Sequence, residues 1–72
     1  MNKEDVITYD LKIVTKSNKY IFLNDNIETL SRAEIIAKNF IDNNERKEAG
    51  SVQIWKTKNN LSTTLIKEIP IY

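Results

Sequence analysis

Leu30-Ser31-Arg32-Ala33-Glu34-Ile35-Ile36-Ala37-Lys38-Asn39-Phe40-Ile41 is the stretch that decides the fold. Ala33, Ile36, Ala37, Phe40 and Ile41 recur at i, i+3, i+4, i+7 and i+8, a spacing that lays one apolar stripe along an α-helix. Ser31-Arg32-Ala33-Glu34 has the form of a capping box, in which the Ser31 hydroxyl accepts from the Glu34 amide and the Glu34 carboxylate reaches back to the Ser31 amide. Leu30 and Ile35 then stand at the positions of a hydrophobic staple. Extending the stripe meets Asn44, Lys47 and Glu48, all polar, so the buried part is expected to stop near Ile41. The helix is expected to end between Asn43 and Ala49, with Gly50 the only glycine available as a stop.

Toward the N-terminus, Ile7, Tyr9, Leu11 and Ile13 alternate with Thr8, Asp10 and Lys12 across residues 7–15, the period of a half-buried strand. Tyr20-Ile21-Phe22-Leu23 reads as a second strand, reached through Lys16-Ser17-Asn18-Lys19 and stopped by Asn24-Asp25-Asn26. A two-residue Ser17-Asn18 turn would set Thr15 opposite Tyr20, Ile13 opposite Phe22 and Leu11 opposite Asn24. That register sends Tyr20 and Phe22 to the core face and Val14, Ile21 and Leu23 to the other. Toward the C-terminus, residues 51–58 read as a third strand in which Val52 and Ile54 share a face and Trp55 points the other way. Asn59-Asn60 suits a type I′ hairpin turn, because asparagine tolerates positive φ. A fourth strand runs from about Leu61 to Ile69, and Pro70, which has no N–H to donate, places its end there or puts it at a sheet edge.

The order is β-β-α-β-β. It implies an α+β fold in one domain over residues 1–72: a four-stranded, mostly antiparallel sheet with a single amphipathic helix on one face. Strand order stays open.

One helix dresses one face of such a sheet, and the other face is expected to be polar. With these registers it carries Val14, Ile21, Leu23, Trp55 and Ile66 among Lys12, Gln53, Thr57 and Thr64, with Tyr72 nearby. Five large apolar groups on an uncovered face point to a contact surface, for a second copy of the chain or for another protein. A one-residue slip in register exchanges the two faces, so this set depends on the hairpin registers.

The charge is nearly balanced, with 11 basic and 10 acidic residues, but it is unevenly spread. Residues 11–23 hold Lys12, Lys16 and Lys19 with no acid, and residues 51–67 hold Lys56, Lys58 and Lys67 with no acid. Lys12, Lys16, Lys19, Lys56 and Lys58, with exposed aromatic rings, are the residues of an alternative reading as a nucleic-acid-binding sheet. A net charge of +1 argues against it, as does the restriction of arginine to Arg32 and Arg46. Lysines on strands also keep sheet edges from pairing with one another.

Enzymatic chemistry finds few candidates. With no histidine and no cysteine, the commonest general base, the thiol nucleophile and the usual zinc ligands are missing. Serines such as Ser17, Ser31, Ser51 and Ser62 have no histidine to activate them, and Lys67 is the one lysine near a core stripe. The carboxylate pairs Glu4-Asp5 and Glu45 with Glu48 do not combine with a second element into a metal-ligand set. Asn24-Asp25-Asn26 resembles the start of a calcium loop but has Ile35 where the terminal glutamate belongs. No catalytic residue, cofactor or metal is expected.

The longest apolar run, Tyr20-Ile21-Phe22-Leu23, is too short to span a bilayer, and the N-terminus has no signal-like apolar segment, so a cytoplasmic protein away from the membrane is expected. Lysine, asparagine and isoleucine supply 29 of the 72 residues, which indicates an AT-rich gene. The reading that results is a small, non-catalytic protein-binding module. Its expected role is a phage or mobile-element accessory that inhibits or modulates a host protein by stoichiometric binding, with a homodimer through the uncovered face as one form of it.

Overall fold

The computed structural model describes residues 5–43 and 48–71. Its elements are β1 (Ile7–Thr15), β2 (Tyr20–Ile27), α1 (Leu30–Asp42), β3 (Ala49–Lys58) and β4 (Ser62–Pro70). The strands form one antiparallel sheet in the order β2-β1-β3-β4. The α+β architecture and the β-β-α-β-β order are those of the sequence reading. Because β2 and β3 both run antiparallel to β1, they run parallel to each other on either side of it, and α1 is the connection between them. The most strictly alternating strand, β1, takes a central position. Its Leu11 and Ile13 are buried opposite Ile54 and Val52 of β3.

Ala33 and Ala37 are the fully buried residues of α1, and Ile36, Phe40 and Ile41 flank them, so the helix stripe lies where its spacing put it. Two small residues at the contact let the helix approach the sheet closely. The cap differs from expectation. Thr29, in extended backbone, is the N-cap, and its hydroxyl accepts from the Arg32 amide at 3.1 Å. Ser31 lies inside the helix, and the Glu34 carboxylate meets Lys67 of β4 at 3.1 Å instead of closing a capping box. Starting two residues earlier makes Leu30 the first helical residue, packed against the core. Ile35 is 50% exposed and forms no staple. Asn43 caps the C-terminal end through its amide to the Asn39 carbonyl. Gly50 is no stop but part of β3, at a register shift where an added Cβ would stand 3.3 Å from the Val14 carbonyl oxygen. Glu4, Asn44, Glu45, Lys47 and Tyr72 lie outside the described residues.

The two hairpins differ in backbone conformation but not in loop length. Asn59 and Asn60 have φ of 55° and 57°, the positive values expected of two asparagines, and the Leu61 amide donates to the Lys58 carbonyl at 3.0 Å, but Lys58 faces Ser62, so this loop takes Leu61 as a third residue. In the first hairpin only Asn18 has positive φ, 64°. The Asn18 amide donates to the Thr15 carbonyl at 2.9 Å and the Thr15 amide to the Lys19 carbonyl at 2.8 Å, so the loop has three residues, not two. A two-residue turn needs positive φ at its first central position, and at both in type I′, and Ser17 does not favour it.

That extra loop residue moves the register by one. Val14 faces Tyr20, Ile13 faces Ile21 and Lys12 faces Phe22, before an irregularity restores the expected Leu11–Asn24 pair. Tyr20 and Phe22 therefore belong to the uncovered face. Ile21, opposite the buried Ile13, and Leu23, packed against the core, belong to the helix side. Their assignment to the uncovered face is corrected accordingly. β4 is an edge strand ending at Pro70, as its proline implied. The third loop residue, Leu61, sets Leu65 opposite Trp55 and Thr64 opposite Lys56, so Thr64, expected on the uncovered face, falls on the helix side; an irregularity at Ile66 shifts the register once more beyond that point.

Candidate functional site

The uncovered face of the sheet is built as cross-strand rows, since residues directly opposite each other share a face. From one end they are Tyr20–Val14–Ser51–Pro70, then Phe22–Lys12–Gln53–Glu68, then Asp10–Trp55–Leu65, then Thr8–Thr57–Thr63. Tyr20 and Phe22 are 63% and 64% exposed, and Leu65 and Ile66 are exposed on the opposite edge strand.

A chain of polar contacts holds the centre. Ser51 Oγ and Gln53 Nε2 donate to one Glu68 carboxylate oxygen at 2.7 and 3.1 Å, and Gln53 Oε1 accepts from Trp55 Nε1 at 3.0 Å. Gln53 is buried on this otherwise open face, with both ends of its amide bonded. Lys12 Nζ lies 4.9 Å from the Trp55 ring centre and 5.7 Å from that of Phe22, a cation bridging two aromatic faces. Asp10 is held in turn by the Thr57 hydroxyl at 2.9 Å and the Asn26 amide at 3.1 Å. The orientations of Trp55 and Lys12 are thus set by contacts within the chain.

Of the residues singled out for protein binding, the face gathers Val14 and Trp55. Ile66 is exposed at the β4 irregularity, and Ile21 and Leu23 fall on the other side. Tyr20, Phe22 and Leu65 are members the sequence reading missed. The signal that would have found the first two is Ser17, whose reluctance to take positive φ argues for the three-residue loop.

The five lysines of the nucleic-acid reading do not form one surface. Lys12 lies on the open face, and Lys16 and Lys19 are at the first hairpin. Lys56, opposite Tyr9, lies on the helix side. Lys58, at the far end, is paired with Asp5 at 3.2 Å. The Asn59 hydrogen bond, then the hydrogen bond and charge of Lys58, hold the Asp5 carboxyl below the ordinary carboxylate range.

Lys67, placed near a core stripe by the sequence, does face the helix side, where it pairs with Glu34. That pair rims a groove of about 350 Å³ between α1 and β4, floored by Ile41, Ile69 and Pro70. Among the described residues no group of three or more acidic, histidine or cysteine side chains could hold a metal ion. No helix among them is long and apolar enough to cross a membrane. No protein-family model, curated protein or solved structure matches this chain.

Proposed function

We propose that this chain is a non-catalytic protein-binding module that acts by stoichiometric occupancy through its open sheet face. The observation that carries the reading is the composition of that face. Exposed Tyr20 and Phe22 and the half-exposed Leu65 surround a Trp55 already oriented by Gln53 and Lys12. Aromatic anchors fixed in advance lose little side-chain freedom on binding, which is why such residues dominate binding energy. Lys12 stands among Asp10 and Glu68, so the face has no strong single sign and suits a mixed protein surface. The AT-rich composition fits a phage or mobile-element accessory that modulates a host protein.

A photo-crosslinking phenylalanine analogue at position 22, compared with the same analogue at position 35 on the exposed side of α1, tests this in cells that carry the gene. A protein partner captured from position 22 and not from position 35 is the expected result. Equal capture from both positions, or none, removes the reading.

Nucleic-acid binding stands as the second reading because Tyr20 and Phe22, two exposed rings on one strand, adjoin Lys12, Lys16 and Lys19. Rings so placed could stack unpaired bases, although the Asp10 and Glu68 carboxylates on the same face oppose a phosphate chain. A mobility-shift assay with single-stranded oligonucleotides at low salt decides it, since binding carried by lysine is strongest there.

A further inference from the structure

We infer that the open face is covered by the same face of a second copy of this chain, the two sheets packing across a two-fold axis parallel to their strands. This deepens the protein-binding reading and rests on it. The chain leaves three of its aromatic side chains, Tyr20, Phe22 and Trp55, on the open face. The four largest fully buried side chains, Leu11, Ile13, Val52 and Ile54, are all aliphatic. Tyr9 and Phe40 pack against that core, whereas Trp55 is only partly buried on the open face and Tyr20 and Phe22 are exposed there. A domain of this length has little apolar burial to spare, and a second copy is one of the few ways to recover more.

The face is also large enough. Four strands about 4.8 Å apart, over the run from Thr8 to Val14 at about 3.4 Å per residue, present roughly 400 Å² in plan before side-chain relief is counted. Counted on both copies, with that relief, the buried surface reaches the order of 1,000 Å², where specific interfaces begin.

The rows complement themselves under this axis. A two-fold parallel to the strands exchanges the sheet's edges, laying β2 of one copy over β4 of the other in an aligned sheet-on-sheet packing. Tyr20 then lies over Pro70 of the second copy, and Phe22 over the Glu68–Leu65 stretch. Lys12 lies over Gln53 of the second copy, one strand away from its Glu68, and the symmetry makes that cation–carboxylate approach twice. An axis across the strands would lay β2 on β2 and β4 on β4, and would separate Lys12 from Glu68.

Sedimentation equilibrium of the full chain from about 1 µM to about 1 mM spans the affinities expected of such a contact. The mass is expected to rise with concentration from 8.4 kDa toward twice that value. Phe22→Glu and Leu65→Glu, checked for folding by circular dichroism, are each expected to weaken association by about tenfold or more. Ile35→Glu, on the exposed side of α1, is expected to leave it unchanged, and Phe22→Ser replaces Phe22→Glu if the acid prevents folding. Lys12→Glu and Glu68→Lys are each expected to weaken the dimer and together to restore it. A monomer throughout, or a dimer indifferent to Phe22→Glu and Leu65→Glu, overturns the inference. Failure of the double exchange to restore association overturns the axis. A monomer that still crosslinks another protein from position 22 removes only the dimer, whereas loss of both removes the binding face itself.

Discussion

The two faces of this sheet are built from different materials. Under α1, Leu11, Ile27, Val52 and Ile54 pack with Ala33 and Ala37, side chains without polar atoms that fill space by shape alone. On the open face, rings, a cation and carboxylates are joined by directional contacts: Trp55 to Gln53, Gln53 to Glu68, and Lys12 over Trp55 and Phe22. The first arrangement gains its stability from removing apolar area from water. The second, still in contact with water, gains little stability of its own and fixes the directions of its side chains.

The largest expected contrast is between single truncations on the two faces. Ile54→Ala is expected to lower the unfolding free energy by about 3 kcal/mol, transfer and cavity costs together. Leu65→Ala, 42% exposed, is expected to cost under about 1 kcal/mol in urea denaturation at high dilution. Equal losses would mean that the open face belongs to the folding core of the single chain, and the contrast would collapse.

A smaller effect tests what assigns Tyr20 and Phe22 to the open face. Asn18→Val places a β-branched residue at φ 64° and is expected to cost about 1–2 kcal/mol, while Asn18→Gly is expected to be close to neutral. Thermal melts of the two variants check this, and a harmless Asn18→Val would remove the reason given for the register.

The smallest concerns the covered face. Thr29→Ala is expected to cost about 1 kcal/mol by removing the cap, whereas Ser31→Ala, inside the helix, is expected to be neutral or slightly stabilising. The reverse ranking in chemical denaturation would restore the capping box at Ser31.

The elements were legible because each rests on a local period. The alternation over Ile7–Ile13 and the stripe from Ala33 to Ile41 hold whatever the rest of the chain does. The positive φ of Asn59 and Asn60 was legible for the same reason, although the loop takes Leu61 as well and its register was not. The first hairpin was harder to read. Ser17-Asn18 meets the positive-φ demand of a type I′ turn at one position only, and the loop takes a third residue instead. That single residue carries Ile21 and Leu23 to the covered side and brings Tyr20 and Phe22 out. Leu61, the third residue of the second loop, does the same there, bringing Leu65 opposite Trp55 and carrying Thr64 to the covered side. Thr29 and Ser31 were equally good caps locally, and the packing of Leu30 against the core accompanies the earlier start.

Residue periodicity alone determined that this chain makes four strands and one helix in the order β-β-α-β-β, and that one sheet face would go uncovered, because a single apolar stripe can dress only one side. Only the tertiary structure decided which side chains occupy that face. Side-chain direction in a strand alternates with every residue, so one loop residue or one bulge exchanges inside for outside, and where those fall is settled by how strands and helix pack together.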